Sequence, residues 1–313
     1  MLTYTVGLPG ARTLAGKLSG RVLANVVRAF EHGAAGALRL RIEGRSATRS
    51  DRLPAWVDYG TDFAVLDFTT EPGLVLGAPS LAEALPDRFQ QGDLFSPVDP
   101  GDSALTLLAT SLQDASGGRA DSDAYDMDLL GVFARDFARL FRGSQVEAVS
   151  LRNGRPDSPR VELNPAGLRV LSQLRDRTPR PRRVRLAGHV DVIRYSTCTF
   201  VMRLGDGSEV RGVLVDESAE TLRPHFGKLV VVEGVAQFRP SGRLLRVDVD
   251  RLHSATDRDL AAFSAAPHPL EAIGDTRRLR RAQSRSTGIN AVIGWWPGDE
   301  SDDEVDRILR EIS

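Results

Sequence analysis

Apolar residues recur along this chain at two different intervals, and the change of interval divides it into three stretches. Up to about residue 176, short strand-like runs alternate with helical spacing. Residues 3–6 (TYTV) read as a strand, and Leu14, Leu18, Val22, Val26, Val27 and Phe30 then form one face of a helix that runs to about His32. Ala37–Ile42 and Phe63–Phe68 alternate or run apolar like strands, with turns rich in proline, glycine and aspartate between them. Helical spacing returns at Ala104–Leu112 and at Leu129–Phe141, where Leu130, Phe133, Phe137, Leu140 and Phe141 line one side. Val146–Leu151 and Arg160–Leu163 read as strands, and Asn164 before Pro165 marks the start of a helix over Ala166–Arg177. The pattern predicts an α+β domain whose strand order the sequence leaves open.

After a basic, proline-broken linker, Arg175–Arg183 (RDRTPRPRR), the interval shortens to that of strands over residues 182–254. Five runs follow: Val184–Arg194, Thr197–Leu204, Glu209–Val215, Leu229–Phe238 and Leu244–Leu252. Gly205-Asp206-Gly207 supplies a hairpin turn, Ser218–Phe226 is the one helix-like piece, and Arg239-Pro240-Ser241-Gly242 joins the last two strands. The order β-β-β-α-β-β, with Gly188 inside a long first strand, resembles an OB-fold barrel. That resemblance implies a surface able to hold single-stranded nucleic acid, by stacking on aromatics and by arginine contacts to phosphate. In the second strand Cys198, Phe200, Met202 and Leu204 share the face expected to be core. The other face carries Thr197, Thr199, Val201 and Arg203, with no aromatic platform. Arg194, Tyr195, Arg203 and Arg211 are the candidate nucleic-acid contacts. A barrel used for scaffolding or protein contact fits the pattern better.

From residue 255 onward the pattern thins. Thr256–Ala266 is a short helix ended by Pro267–Pro269. Arg277, Arg278, Arg280, Arg281 and Arg285 then place five positive charges within nine residues. The charge reverses after Trp296: Asp299, Glu300, Asp302, Asp303, Glu304 and Asp306 are six carboxylates within eight residues. Val305, Ile308, Leu309 and Ile312 recur at amphipathic spacing, and Ser301 with Glu304 makes a capping box, so a helix starts at about Asp302. A helix of about eleven residues is unstable alone in water. Its apolar stripe needs a surface, either its own domain or another chain. The region reads as an extended arm that folds on binding.

Composition narrows the chemistry. A net charge of −1 over 313 residues argues against a global polyelectrolyte, although local blocks nearly cancel within it. Lys17 and Lys228 are the only lysines, so 39 of the 41 basic residues are arginine, as a GC-rich genome would produce. The single cysteine, Cys198, excludes an internal disulfide and any multi-cysteine zinc site. No apolar run reaches membrane-spanning length and no signal peptide opens the chain, so a cytoplasmic location is expected. Gly10–Lys17 (GARTLAGK) stands where a P-loop would, but five residues separate its glycines instead of four and Leu18 replaces the hydroxyl. Ser111–Tyr125 is the expected mobile loop. Asp114, Asp121, Asp123, Asp126 and Asp128 lack the glycine and glutamate of a calcium loop and read as solvated. His32, His189, His225, His253 and His268 are scattered, and no catalytic spacing is present. No enzyme activity, no metal and no cofactor are expected.

The string Trp296-Pro297-Gly298-Asp299-Glu300-Ser301-Asp302, with Glu304 two residues on and a short helix after it, resembles the tail of bacterial antitoxins encoded beside PIN-domain toxins. The likeness covers about twenty of the 313 residues. It implies a PIN-domain ribonuclease as partner. Trp295 and Trp296 would be anchors in apolar pockets, Pro297 and Gly298 would set the turn, and Asp299 and Glu300 would contact the partner. Val305, Ile308, Leu309 and Ile312 would fill a groove. An arginine from residues 277–285 would occlude the carboxylate cluster that holds the toxin's metal; read from its charge alone, the same block also suits phosphate contact as a nucleic-acid arm. No ribbon-helix-helix or helix-turn-helix unit is evident. The alternative reading is an OB-fold protein that binds single-stranded nucleic acid.

Overall fold

The computed structural model describes residues 1–47, 54–89, 98–142, 145–194, 198–214 and 219–269. Met1–Pro269 is one compact unit. It opens with β1 (Leu2–Gly7), a small hairpin of β2 (Thr13–Leu14) and β3 (Lys17–Leu18), and the long helix α1 (Gly20–Glu43). Next come α2 (Ala55–Thr61), β4 (Ala64–Phe68), β5 (Gly73–Ala78) and two single-turn helices, α3 (Leu81–Ala84) and α4 (Pro86–Phe89). α5 (Ala104–Ser116), α6 (Met127–Phe141), β6 (Val149–Asn153), β7 (Val161–Leu163) and α7 (Pro165–Arg177) complete the first region. Its strands form an antiparallel sheet in the order β4-β5-β1-β6-β7.

β1 runs through the centre of that sheet, and Tyr4 and Val6 enter a core shared with Leu74, Leu76, Leu151 and the inner faces of α1, α5 and α6. The Tyr4 hydroxyl ends in a polar pocket, 2.7 Å from both Ser103 Oγ and Thr106 Oγ1. α7 begins as its sequence indicates, with Asn164 Oδ1 accepting from Gly167 N and proline at the first turn.

Two expectations for this region are corrected. Residues 37–42 are the last turns of α1 and not a strand. Every residue from Gly33 to Leu40 is buried, Arg39 included because it bonds Glu43 and the Ser46 carbonyl, so the alternation of Leu38, Leu40 and Ile42 with two arginines mimics a strand in a helix with no exposed face. Neighbouring helices come so close that a β-carbon on Gly33 or Gly36 would lie 2.7 Å from Leu108 or Leu129. The helix also starts later than its apolar spacing suggested. Leu14 and Leu18 belong to the β2–β3 hairpin, which turns through Ala15 and Gly16 at φ 51° and 77°. Residues 13–18 therefore form a hairpin where the glycine-rich stretch was expected to lead into a helix, and Leu14 is exposed.

The second region contains β8 (Arg182–Arg194), β9 (Thr199–Leu204), β10 (Glu209–Leu214), a 3-10 helix (Ala219–His225), β11 (Leu229–Phe238) and β12 (Leu244–Ser254). These strands close a barrel in the order β10-β12-β11-β8-β9, in which β10–β12 is the parallel pair. α8 (Asp257–Phe263) packs on β8, where Arg185 lies 4.8 Å from the Phe263 ring centre. Phe200, Met202 and Leu204 point into the barrel with Leu186, Val190, Val230, Val232, Val247 and Val249, while Cys198 is partly buried at its margin. The barrel closes because glycine stands where strands crowd. A β-carbon on Gly188 would lie 2.5 Å from the Arg203 carbonyl, and one on Gly212 would lie 2.2 Å from the Phe200 ring.

Candidate functional site

The tail residues singled out in the sequence, Arg277, Arg278, Arg280, Arg281, Arg285, Trp295, Trp296, Pro297, Gly298, Asp299, Glu300, Val305, Ile308, Leu309 and Ile312, lie outside the described residues, as does Tyr195. Arg194, Arg203 and Arg211 are described, and the structure sets Arg203 apart from the other two.

The junction between the helical region and the barrel is built by the acidic segment that the sequence presented as a solvated, mobile loop. Residues 111–116 are the end of α5, and the carboxylates that follow are largely consumed by the barrel. Asp126 caps α6 by accepting from Leu129 N (3.0 Å), and it also accepts from Ser46 Oγ (2.5 Å) and Arg246 Nη1 (3.1 Å). Both side chains of the Asp126–Arg246 pair are at most 4% exposed. Arg246 Nε donates to Asp248 Oδ1 (2.8 Å), and Asp248 Oδ2 accepts from Gln237 (2.9 Å), so the network continues into the barrel wall. Burial by itself would raise the Asp126 carboxyl, but the charge of Arg246 and the bonds from Ser46 and Leu129 hold it below the ordinary carboxylate value. Further out, Arg239 clamps Asp123 through Nε (3.0 Å) and Nη2, and Ser241 Oγ donates to Asp121 at 2.5 Å. Asp114 accepts from Arg119 and Ser122.

This junction gathers arginines. Gly44, the C-cap of α1, rests on Val213 of β10 and Thr199 of β9. Arg41 stands three residues earlier in the last turn of α1, and Arg211 two residues before Val213 on the same outer face of β10. Arg194 pairs with Thr199 across the β8–β9 ladder. Arg41, Arg194 and Arg239 all lie close enough to Arg211 to repel its charge. Desolvation is the largest cause that lowers the Arg211 guanidinium below its usual value; the attraction of Asp123 opposes it, and the charges of Arg194, Arg41 and Arg239 add to it. Among the described residues, Arg41 and Arg211 have no ion-pair partner. A hollow of about 520 Å³ opens beside Arg41, lined also by Thr110, Arg119 and the acidic segment. Arg203 does not join this group. It lies further along β9, paired to Asp191 at 2.6 Å and opposite Glu209. Arg41 and Arg239 were not selected from the sequence, because only long-range packing brings them beside Arg211.

A second concavity, about 850 Å³, lies between α1, α2 and α6 and is lined by Glu31, His32, Arg39, Asp58, Asp128 and Arg135 among others. His32 Nδ1 is 2.9 Å from Asp136 Oδ2, and Arg135 Nε and Nη2 also donate to that carboxylate. Burial works to raise Asp136, but the bonds from Arg135 and His32 prevail and keep it below the ordinary value. Asp128 is raised, first by burial and then by the nearby charge of Asp126. The arrangement orients an imidazole but brings no described hydroxyl or thiol into hydrogen-bond contact with it. Among the described residues, no group of three or more His, Cys, Asp or Glu is placed to hold a metal ion, and no helix is long and apolar enough to cross a membrane.

Comparison with known proteins gave no further guide: no protein-family model matches the sequence, and no curated protein matches it.

Proposed function

We propose that this chain is a non-enzymatic, antitoxin-like protein that binds and inhibits a PIN-domain ribonuclease through its C-terminal arm. The observation that carries this reading is the string from Trp296 to Glu304, followed by the helical spacing of Val305, Ile308, Leu309 and Ile312. Aromatic anchors dominate the energy of protein interfaces, so Trp295 and Trp296 supply most of the grip. The short helix gains its stability only in the partner's groove. An arginine from residues 277–285 faces the nuclease carboxylates and competes with the metal they hold. The unit Met1–Pro269 then serves as the folded body that carries the arm. Co-expression with a PIN-domain ribonuclease encoded beside it tests the reading. The nuclease should co-purify with the intact chain and not with a chain ending before Gly288. Equal recovery with both would overturn it.

A second reading, single-stranded nucleic-acid binding by an OB-like barrel, has its own support. The β-β-β-helix-β-β order with a parallel β10–β12 closure agrees with that fold. Arg194 and Arg211 also share one outer face of the barrel, on the strands either side of β9. Salt separates the two readings, because phosphate contacts weaken steeply as salt rises and aromatic anchoring does not.

A further inference from the structure

We infer that strand β4, at the open edge of the five-stranded sheet, is a docking edge for a second copy of this chain, whose own β4 adds to it antiparallel about a two-fold axis at Leu66. Nothing in this edge draws on the C-terminal arm.

The sheet has two edges, and the chain treats them differently. An open edge offers unpaired N–H and C=O groups to any extended chain, so folded proteins keep such edges short, charged or flanked by proline. β7 follows that rule. It has three residues, its exposed centre is Glu162, and Pro159 and Pro165 stand on either side. β4 does not. All five of its residues are exposed, and Ala64, Val65, Leu66 and Phe68 are apolar. Its one charge, Asp67, is turned back on its own strand, where Oδ1 accepts from Phe68 N at 2.8 Å. Among the described residues, β5 is the only strand that pairs with β4.

Register makes both faces of this edge apolar. Val65 pairs with Leu76 and Phe68 with Leu74, so these two extend the face that carries the core. The bulge between Val65 and Asp67 turns Leu66 to the opposite face, where a β-carbon on Gly77 would lie 2.9 Å from both Leu66 Cδ1 and Met1 Cε. Beside Phe68 stands the β2–β3 hairpin. Lys17 Nζ is 5.9 Å from the ring centre, and Leu14 pairs directly with Lys17. Met1, Leu14, Val65, Leu66 and Phe68 are between 39% and 69% exposed.

A second copy fits because an antiparallel strand complements itself, and such an isologous contact closes at two chains. The five side chains leave roughly 500 Å² uncovered, so two copies would bury roughly 1,000 Å² together, the least a specific interface needs and the range of reversible association. An axis at Asp67 would set two carboxylates opposite each other. An axis at Leu66 sets each Asp67 opposite Val65 and each Ala64 opposite Phe68, which avoids that repulsion.

Analytical ultracentrifugation of the full chain over about 1–100 μM tests the docking. The mass should rise from 34.0 kDa towards twice that value. Leu66→Lys places two like charges at the axis. It should stay at the single-chain mass throughout, and at the lowest concentration it should melt with the parent. Leu66→Cys, in a chain carrying Cys198→Ser, should give a disulfide-linked dimer under mild oxidation. Opposed residues of antiparallel strands stand about 4.5–5.5 Å apart at Cα, a distance that a disulfide spans. Glu162→Cys in the same background, on the other edge, should not link. A parent chain that stays single at the highest concentration would overturn the proposal. So would a dimer that survives Leu66→Lys, or Leu66→Cys that links no faster than Glu162→Cys.

Discussion

Replacing Arg246 with methionine tests whether the helical region and the barrel are held together by a buried charge network. The guanidinium stands between Asp126 and Asp248 and is 3% exposed. Methionine fills much of the same space but leaves two carboxylates without their cation. Breaking a buried ion pair from one side costs about 3–5 kcal/mol. Asp126 keeps its bonds to Ser46 and Leu129 and Asp248 keeps Gln237, which places the loss near 3 kcal/mol, or about a hundred-fold in the unfolding equilibrium. Urea unfolding followed by far-UV circular dichroism measures it. Asp126→Asn removes the charge but keeps an acceptor for the α6 cap, while Asp126→Ala removes both. The two should differ by about 1 kcal/mol. The double variant Asp126→Asn/Arg246→Met should be less destabilised than the sum of its parts, by about 1–3 kcal/mol. The pH dependence adds a second check. Because the folded Asp126 carboxyl lies below its ordinary value of 3.8, its contribution is complete above that value and is lost as pH falls through the lower, folded one. Arg246→Met should flatten that acid limb. A loss under about 1 kcal/mol with strict additivity would refute the network as the joint.

The remaining predictions concern packing. Gly212→Ala places a β-carbon 2.2 Å from the Phe200 ring, and overpacking of this kind should cost about 1–3 kcal/mol, read from the thermal midpoint. Tyr4→Phe strips the group that joins Ser103 and Thr106. It should cost about 1–3 kcal/mol and leave the fold unchanged by circular dichroism.

How far the sequence foretold this structure depends on how local each determinant is. The barrel was legible strand by strand because its alternation is regular and its turns carry their own chemistry: Phe200, Met202 and Leu204 fall on the inner face as read, and the 3-10 helix at Ala219–His225 falls within the one helix-like piece. α7 was legible from Asn164 and Pro165 alone. The end of α1 was not, since a helix buried on every side shows no amphipathic interval. β5 escaped notice because Gly73 and Gly77 interrupt its alternation at the points where strands pack closely. The acidic segment was misread for a different reason. Its composition is that of a solvated loop, and the residues that claim it, Arg239, Ser241 and Arg246, lie 116 to 120 positions away. The arginine cluster shares that origin: Arg194 and Arg211 were visible as surface cations, but their company with Arg41 and Arg239 is a product of the junction.

Cleavage of a single-stranded RNA by a PIN-domain ribonuclease of the proposed partner class, measured with and without an equimolar amount of this chain, tests the proposed function most directly. The intact chain should suppress cleavage, and Trp295→Ala/Trp296→Ala, which leaves residues 1–269 untouched, should need roughly thirty-fold more protein for the same suppression, as expected when anchors worth at least about 2 kcal/mol are lost. Equal suppression by both forms, or none by either, would contradict the account.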